Sequence, residues 1–468
     1  MLELNYDITN LHGAKYNPRH IDDTDLQLLA ESIRTLGLVK PLIARGNLLV
    51  AGHQRTKALR VNGVTTAAVY QLPRETNIYD EIRFNQLHNG TDMDSGDEDC
   101  WIDGLSGKSG FVIVDACQIT GNMRARMAYI RREISEMIMK YGPWGGCVAT
   151  ESGEVIHCAQ YALASKGTKS PLTVFVIPNS EKARYKKYLD RQYGVFSYGH
   201  LEKKTYVQTY AQMMRLREGS RKDNRSKLYE TLVMPYLSNH ANGKKLRGID
   251  FGSGQGDYAN FLRGKGFNIL DLELFRRRGA GNVIDRRSVH RMIDAMCLSL
   301  RNHGLFDYVV CDSVLNSVDS LEAERSVMTF IKGLCKPGGQ VFFSGRRLEF
   351  EQASLRLMKA GSKKSKVYFL DQDNFTAKYR KGNWFYQHFH SAADVKLLAK
   401  NHALKIVHHA NTGSSFQVQA TSEQVPSRES LSQAIRYEFE LILPDGEPLG
   451  RSPDVIEAFW SRGEYGKA

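Results

Sequence analysis

The sequence predicts an α/β protein of about three domains, with a doubly wound sheet in its second half and one or two small α+β units before it. Three observations carry this. At 468 residues the chain exceeds what a single core fills, and the usual domain size gives about three. Over 246–257 three glycines stand at every second position, after an apolar strand and before a helical pattern. Residues 1–92 alternate short apolar runs with amphipathic helical stretches, punctuated by Gly, Pro and Asn.

The first domain, 1–92, opens with Asn17-Pro18-Arg19 and a helix over 25–36, whose Leu26, Leu29, Ile33 and Leu36 share one face. Gly37 ends it. A strand over 41–44, the turn Arg45-Gly46-Asn47 and the run Leu48-Leu49-Val50-Ala51-Gly52-His53-Gln54-Arg55 follow, the last entering another helix. Gly52 permits close backbone approach at a helix start, where free amides and the dipole favour a phosphate, and Arg55 offers a planar fork. This order, with Asn-Pro-Arg early and Ala-Gly-His-x-Arg later, resembles the ParB/sulfiredoxin-like domain. The resemblance implies a turn that binds nucleotide phosphates or acts on them. Its candidates here are Arg19, Gly52, His53 and Arg55, with a nucleoside triphosphate or a nucleic-acid backbone as ligand. His53 and Gln54 stand where ParB proteins proper carry acidic or basic residues, which argues against hydrolysis. The form is closer to ParB-like modules that precede DNA methyltransferases. No helix-turn-helix region follows, so partition-complex binding is not expected.

Residues 100–227 hold a weaker echo of the same pattern. Ile138-Met139-Lys140-Tyr141-Gly142 is similar to Ile33-Arg34-Thr35-Leu36-Gly37, and 172–178 is similar to 66–73. Between them 153–160 takes the place of the phosphate turn without Gly-His-x-Arg. The reading is a degenerate second ParB-like unit that has lost its phosphate site, against chance likeness of two small α/β segments. The span 182–227 is rich in Lys and Arg interleaved with tyrosines, the pairing of phosphate contacts and stacking that a nucleic-acid surface uses. Its candidate contacts are Arg215, Arg217, Arg221, Lys222 and Arg225. The plainer alternative is a solvated helical face with tyrosines in the core. The acidic run 92–99 reads as an exposed loop between domains.

The glycine turn falls in the third domain, 228–422. After Asp250, Gly252, Gly254 and Gly256 allow positive φ and bare backbone beside a ligand. A second strand ends in Glu273, seventeen residues after Gly256, where a doubly wound sheet presents an acid to a ribose. The spacing Asp-x-Gly-x-Gly-x-Gly resembles the first motif of class I S-adenosylmethionine-dependent methyltransferases, whose fold is Rossmann-like. The resemblance extends to 306–312 as the fourth strand, 336–343 as the turn into the fifth, and 292–295 as an acidic turn after the third. It implies S-adenosylmethionine as cofactor, held by Asp250, the three glycines, Glu273 at the ribose and Asp294 at the adenine.

The acceptor is then met after the fourth strand, by Asp312 and Asn316. Methyltransferases of exocyclic base amines carry Asp-Pro-Pro-Tyr there, and only Asp312 matches. Cys311 lacks the preceding proline of cytosine carbon methylation and reads as a buried strand residue. Downstream, 383–390 concentrates aromatics and two histidines, with His388 a candidate base and Trp384 or Tyr386 candidate stacking partners. Residues 417–420 look like the last strand, and 423–468 like an appendix.

Lys and Arg outnumber Asp and Glu by 64 to 51, a net charge of +13, which suits a polyanionic partner. Seven cysteines without Cys-x-x-Cys predict neither a zinc cluster nor a disulfide framework, and no other metal site is expected. No apolar run reaches membrane-spanning length, so a cytoplasmic, membrane-free protein is expected. The sequence thus points to a methyltransferase of nucleic acid, DNA foremost, with homo-oligomerisation open. Two alternatives stand: a nucleotide-binding scaffold whose methyltransferase fold is non-catalytic, and a methyltransferase of a small molecule or modified base.

Overall fold

In the computed structural model, which describes residues 1–91, 100–121, 128–191, 193–201, 216, 225–278, 283–357, 370–380, 383–443 and 446–461, the chain divides into two units. The first is Met1–Leu201 with Ala353–Gln372, the second Glu202–Gln352 with Asp373–Ala468.

In the first unit β1 (Leu2–Asp7), β2 (His12–Gly13), β3 (Arg19–His20), α1 (Asp23–Leu36), β4 (Leu42–Arg45), β5 (Leu48–Ala51), α2 (His53–Val61), β6 (Thr66–Gln71) and α3 (Ile78–Thr91) follow in order. The Asp22 carboxylate caps α1 by accepting from the Asp25 amide at 2.7 Å, and Gly37 ends it at φ +77°. One sheet results, in the order β1-β6-β4-β5-β2.

The chain continues through β7 (Cys100–Ile102), β8 (Gly110–Val114), β9 (Ile119–Gly121), α4 (Ala128–Tyr141), β10 (Gly146–Thr150), β11 (Val155–His157), α5 (Ala159–Thr168), β12 (Leu172–Ile177), α6 (Lys182–Leu189) and β13 (Val195–Phe196), which pairs with β3. The second sheet runs β8-β12-β10-β11. Its pairings are antiparallel, parallel, antiparallel, the same series as β1-β6-β4-β5. The helix before each inner strand ends at a left-handed glycine, Gly37 or Gly142 (φ +78°). Each second helix starts from a left-handed residue, Gly52 (φ +92°) before α2 and Cys158 (φ +62°) before α5. The two sheets have one core. Ile43, Val50 and Phe84 pack with Ile134, Trp144 and Tyr161, and the Phe84 and Trp144 rings meet edge to face at 5.2 Å. The sequence boundary at 92–100 therefore does not separate two cores. The acidic run 92–99 lies outside the described residues.

The second unit comprises α7 (Met234–Asn239), β14 (Arg247–Phe251), α8 (Asp257–Gly264), β15 (Asn268–Leu272), α9 (Arg286–His303), β16 (Phe306–Cys311), α10 (Leu321–Leu334), β17 (Cys335–Arg347), α11 (Leu348–Leu357), β18 (Phe375–Arg380), β19 (Asn383–His390), α12 (Ala392–Asn401), β20 (Leu404–Thr412), β21 (Ser415–Ser422), α13 (Arg428–Phe439) and α14 (Ser452–Trp460), with the division between units falling inside α11. β15, β14, β16 and β17 are parallel neighbours. β21 pairs antiparallel with β17 and with β20, and β19 joins the end of β17. Helices on both faces explain the continuous apolar run Tyr308 to Cys311 and the buried Ile249 and Phe251 on either side of Asp250.

Two expectations fail here. Residues 292–295 are not a strand-end turn but the middle of α9, where Val289, Ile293, Met296 and Leu300 are buried at helical spacing. The stretch 423–468 is not an appendix. Leu431, Ile435 and Phe439 of α13 and Val455 and Phe459 of α14 belong to the main core, beside Phe330 of α10. Among the described residues no helix is long and apolar enough to cross a membrane.

Candidate functional site

The glycine turn forms because β14 ends where its backbone must reverse into α8. Gly252, Gly254 and Gly256 take φ of +73°, +59° and +76°, a region costly to other residues. The Gly252 amide donates to the Leu272 carbonyl at 2.8 Å, fastening the turn to β15. Added Cβ atoms distinguish the three positions. At Gly252 one would stand 2.3 Å from Val314, and at Gly256 3.1 Å from Asp271, whereas at Gly254 it would meet nothing within 4 Å. Gly254 thus faces open space, and its neighbours close the rest of the cradle.

Glu273 follows β15 and accepts from the Gly254 amide at 2.7 Å and the Phe275 amide at 2.9 Å. Burial raises its pKa, opposed by those two amides and by Arg276 and Arg277. Asp250 is 3% exposed. Its pKa stands well above the carboxylate range, through burial first, then Asp312, Asp271 and Glu273, against the Tyr229 hydroxyl. Four carboxyl groups thus gather round the turn, with Arg276 paired to Asp271 at 2.7 Å and donating to the Gln255 carbonyl.

Asp312 is brought to the same place by β16. Ser344 Oγ donates to its Oδ1 at 2.6 Å, and the Ser313 amide donates to that same hydroxyl oxygen at 2.8 Å. Ser313 is left-handed without being glycine, φ +61°, local strain of the kind held at functional loops. Val314 packs over Gly252, so Asp250, the glycines, Glu273 and Asp312 form one site, with Asn316 on the short turn Leu315–Ser317 next to it.

Asp294 is not in it. Its exposed carboxylate pairs with Arg451 at 2.6 Å on the outer face of α9. His388 does not stand free as a base either. It is 4% exposed, its pKa pushed down to about 4 by burial and by His390, and its ring stacks on Phe375 at 4.0 Å and turns towards Glu324 and His390. Tyr386 is buried, and Trp384 packs edge-on against Tyr379. Cys311 is buried, as its strand position predicts. Sequence reasoning passed over the meeting of Glu324 with His388 and His390, although His-x-His on one strand face signals shared direction.

A second site surrounds Gly52 in the first unit, a cavity of about 120 Å³. Arg19, Lys40, Arg55 and Arg191 line it with His53, His88 and His157, and no carboxylate is among the described lining residues. Arg55 donates to the Lys40 carbonyl at 2.7 Å and reaches the His88 ring at 2.7 Å. Arg19 Nε donates to the Tyr193 carbonyl at 2.8 Å, and Gln54 to the Arg19 carbonyl at 2.5 Å. A Cβ at Gly52 would stand 2.6 Å from Leu42. His53 is no phosphate cation. Its Nε2 accepts from the Ala14 amide at 3.0 Å, and burial, then Lys57, brings its pKa to about 4. Arg215, Arg217, Arg221 and Lys222 lie outside the described residues, and Arg225 pairs with Glu230 at 3.8 Å. Tyr193 and Tyr198 are buried, and Tyr185 donates to the Leu36 carbonyl at 3.1 Å, so these tyrosines serve packing rather than stacking on bases.

A glycine turn fastened to the Glu273 carboxylate at the end of a parallel sheet is an arrangement of the Rossmann-like class. Residues 221–409 match the methyltransferase domain family, and residues 4–82 match the ParB N-terminal domain family. The chain therefore couples a ParB N-terminal domain to a methyltransferase domain. Solved structures similar to it include a protein from Pyrococcus horikoshii OT3 (16% identity over 46% of this chain and 98% of that one, TM-score 0.33). A S-adenosylmethionine-dependent methyltransferase from Clostridium acetobutylicum ATCC 824 shows 11% identity over 47% and 98%, TM-score 0.30. The 1,6-didemethyltoxoflavin-N1-methyltransferase of Burkholderia thailandensis, solved with bound 1,6-didemethyltoxoflavin and S-adenosylhomocysteine, shows 13% identity over 43% and 84%, TM-score 0.27. No curated protein matches the chain.

Proposed function

We propose that this chain transfers the methyl group of S-adenosylmethionine to nucleic acid, DNA foremost. In this reading Asp250, Gly252 to Gly256 and Glu273 hold the cofactor, which supplies an electrophilic methyl. Asp312 and Asn316 align the acceptor, because methyl transfer needs alignment more than covalent help from the protein. The observation that carries the nucleic-acid half is the cavity at the Gly52 turn, where four cations line a helix start, one of them, Arg191, also paired with Asp25 at 3.8 Å, a setting suited to phosphate. A nucleoside triphosphate or the nucleic-acid backbone would occupy it. The absence of Pro-Pro-Tyr after Asp312 and the burial of Tyr386 favour one other reading, a small-molecule acceptor.

Incubation of the full chain with labelled cofactor and separate DNA, RNA and nucleotide pools, followed by mass spectrometry of the nucleosides, tests this. Label is expected in a DNA nucleoside. Label confined to small molecules would establish the second reading, and cofactor binding without transfer to any pool would leave a non-catalytic scaffold.

A further inference from the structure

His388 and His390 occupy alternate positions of β19, so both rings leave the strand on one side, and α10 brings Glu324 to meet them. His390 Nε2 lies 2.8 Å from Glu324 Oε1 and His388 Nδ1 lies 3.4 Å from it. The three donor atoms fall within 4.8 Å of one another. The side chains are 2%, 6% and 7% exposed for His390, His388 and Glu324.

An ion pair between His390 and Glu324 explains only part of this. His388 hydrogen-bonds the Asp373 backbone, and with that bond made by Nε2–H the neutral ring keeps a lone pair on Nδ1. That nitrogen has no hydrogen-bond partner and faces a carboxylate oxygen already engaged by His390. A lone pair beside a buried anion is unfavourable, and a proton or a metal cation between them relieves it. We propose that Glu324, His388 and His390 form a binding site for one divalent transition-metal ion of zinc-like preference. Two imidazoles and a carboxylate are a ligand set such ions take, with donors about 3.3 Å apart in a tetrahedral shell, close to the spacings here. The bond from His388 to Asp373 is the outer-shell contact that orients a ligating imidazole. β19 packs on the turn Leu315–Ser317, so the ion positions the strand beside the acceptor loop. The inference is independent of which acceptor is methylated.

The test uses the full chain, stripped with a chelator and titrated with Co²⁺ and then Zn²⁺, read by visible absorption and elemental analysis. One Co²⁺ per chain is expected, with a tetrahedral spectrum free of thiolate charge transfer, displaced by Zn²⁺, and with a rise in melting temperature. His388→Gln and Glu324→Gln should each weaken uptake by more than the roughly 10- to 100-fold cost of losing an outer-shell partner. A folded parent chain that takes up neither ion, a thiolate spectrum, or folded variants that bind like the parent would each overturn the proposal. Should the variants fail to fold, the parent titration decides alone.

Discussion

Gly254 is the one glycine of the turn whose missing side chain faces open space, so a substitution there meets the ligand before it meets the fold. Gly254→Val is expected to cost about 1–3 kcal/mol of stability from its positive φ while abolishing S-adenosylmethionine binding in calorimetry. Retained affinity would refute the cradle. Arg55→Ala should weaken binding of a nucleoside triphosphate or DNA by about 1.5–3 kcal/mol, the worth of a charge-assisted hydrogen bond. Isotherms and melting curves on the same variant separate this from packing, since a fall in melting temperature alone would mean that Arg55 only ties Lys40 and His88 together. Glu438 is 6% exposed, and burial, then Asp319, raises its pKa to about 8. The native state holds this proton above the unfolded value of 4.5, so its contribution is fully present below that pH and is lost as pH rises to about 8. Glu438→Gln should therefore match the parent near pH 4.5 and exceed its stability by a few kcal/mol above pH 8, measured by denaturant unfolding across pH. A constant difference would exclude a raised pKa.

At the level of elements, the strands that carry the cofactor turn were legible because parallel strands covered on both faces are short and rich in apolar residues. Ile249, Phe251, Val309 and Val310 need no context to be read. α9 was misread because its segment 292–295, seen alone, is as apolar as a strand, while the periodicity that makes it a helix spans Val289 to Leu300. The carboxylate opposite His388 was illegible for another reason. Strand alternation places the two histidines, but only tertiary folding decides that Glu324 of α10 faces them. α13 was overlooked because a carboxylate, Glu438, sits on its buried face among Leu431, Ala434, Ile435 and Phe439. Leu431 lies fully buried against Gly333, and Leu431→Ala is expected to destabilise the second unit by about 2–5 kcal/mol. Denaturant unfolding checks it. A change below about 0.5 kcal/mol, usual for surface positions, would restore the view of this segment as an appendage.

For the whole molecule, the net charge of +13 would give the proposed binding of a polyanion a strong salt dependence. Replacing Arg217, Arg221, Lys222 and Arg225 by glutamate is expected to lower DNA affinity and to flatten the log–log salt slope by roughly one unit for every phosphate no longer neutralised. Cofactor binding should be unchanged. Anisotropy across a salt series measures both affinity and slope, and a variant that binds DNA like the parent would assign this stretch to solvation. The two sheets of the first unit have a single core, and His157 of β11 lines the cavity at Gly52. Neither sheet can open without exposing the other, so the free energy of a ligand held at Gly52 is added to the opening of both. Amide protons of β10 and β12 would then exchange with solvent more slowly when the cavity is filled, and the sheet without a glycine turn becomes the reporter of occupancy in the sheet that has one.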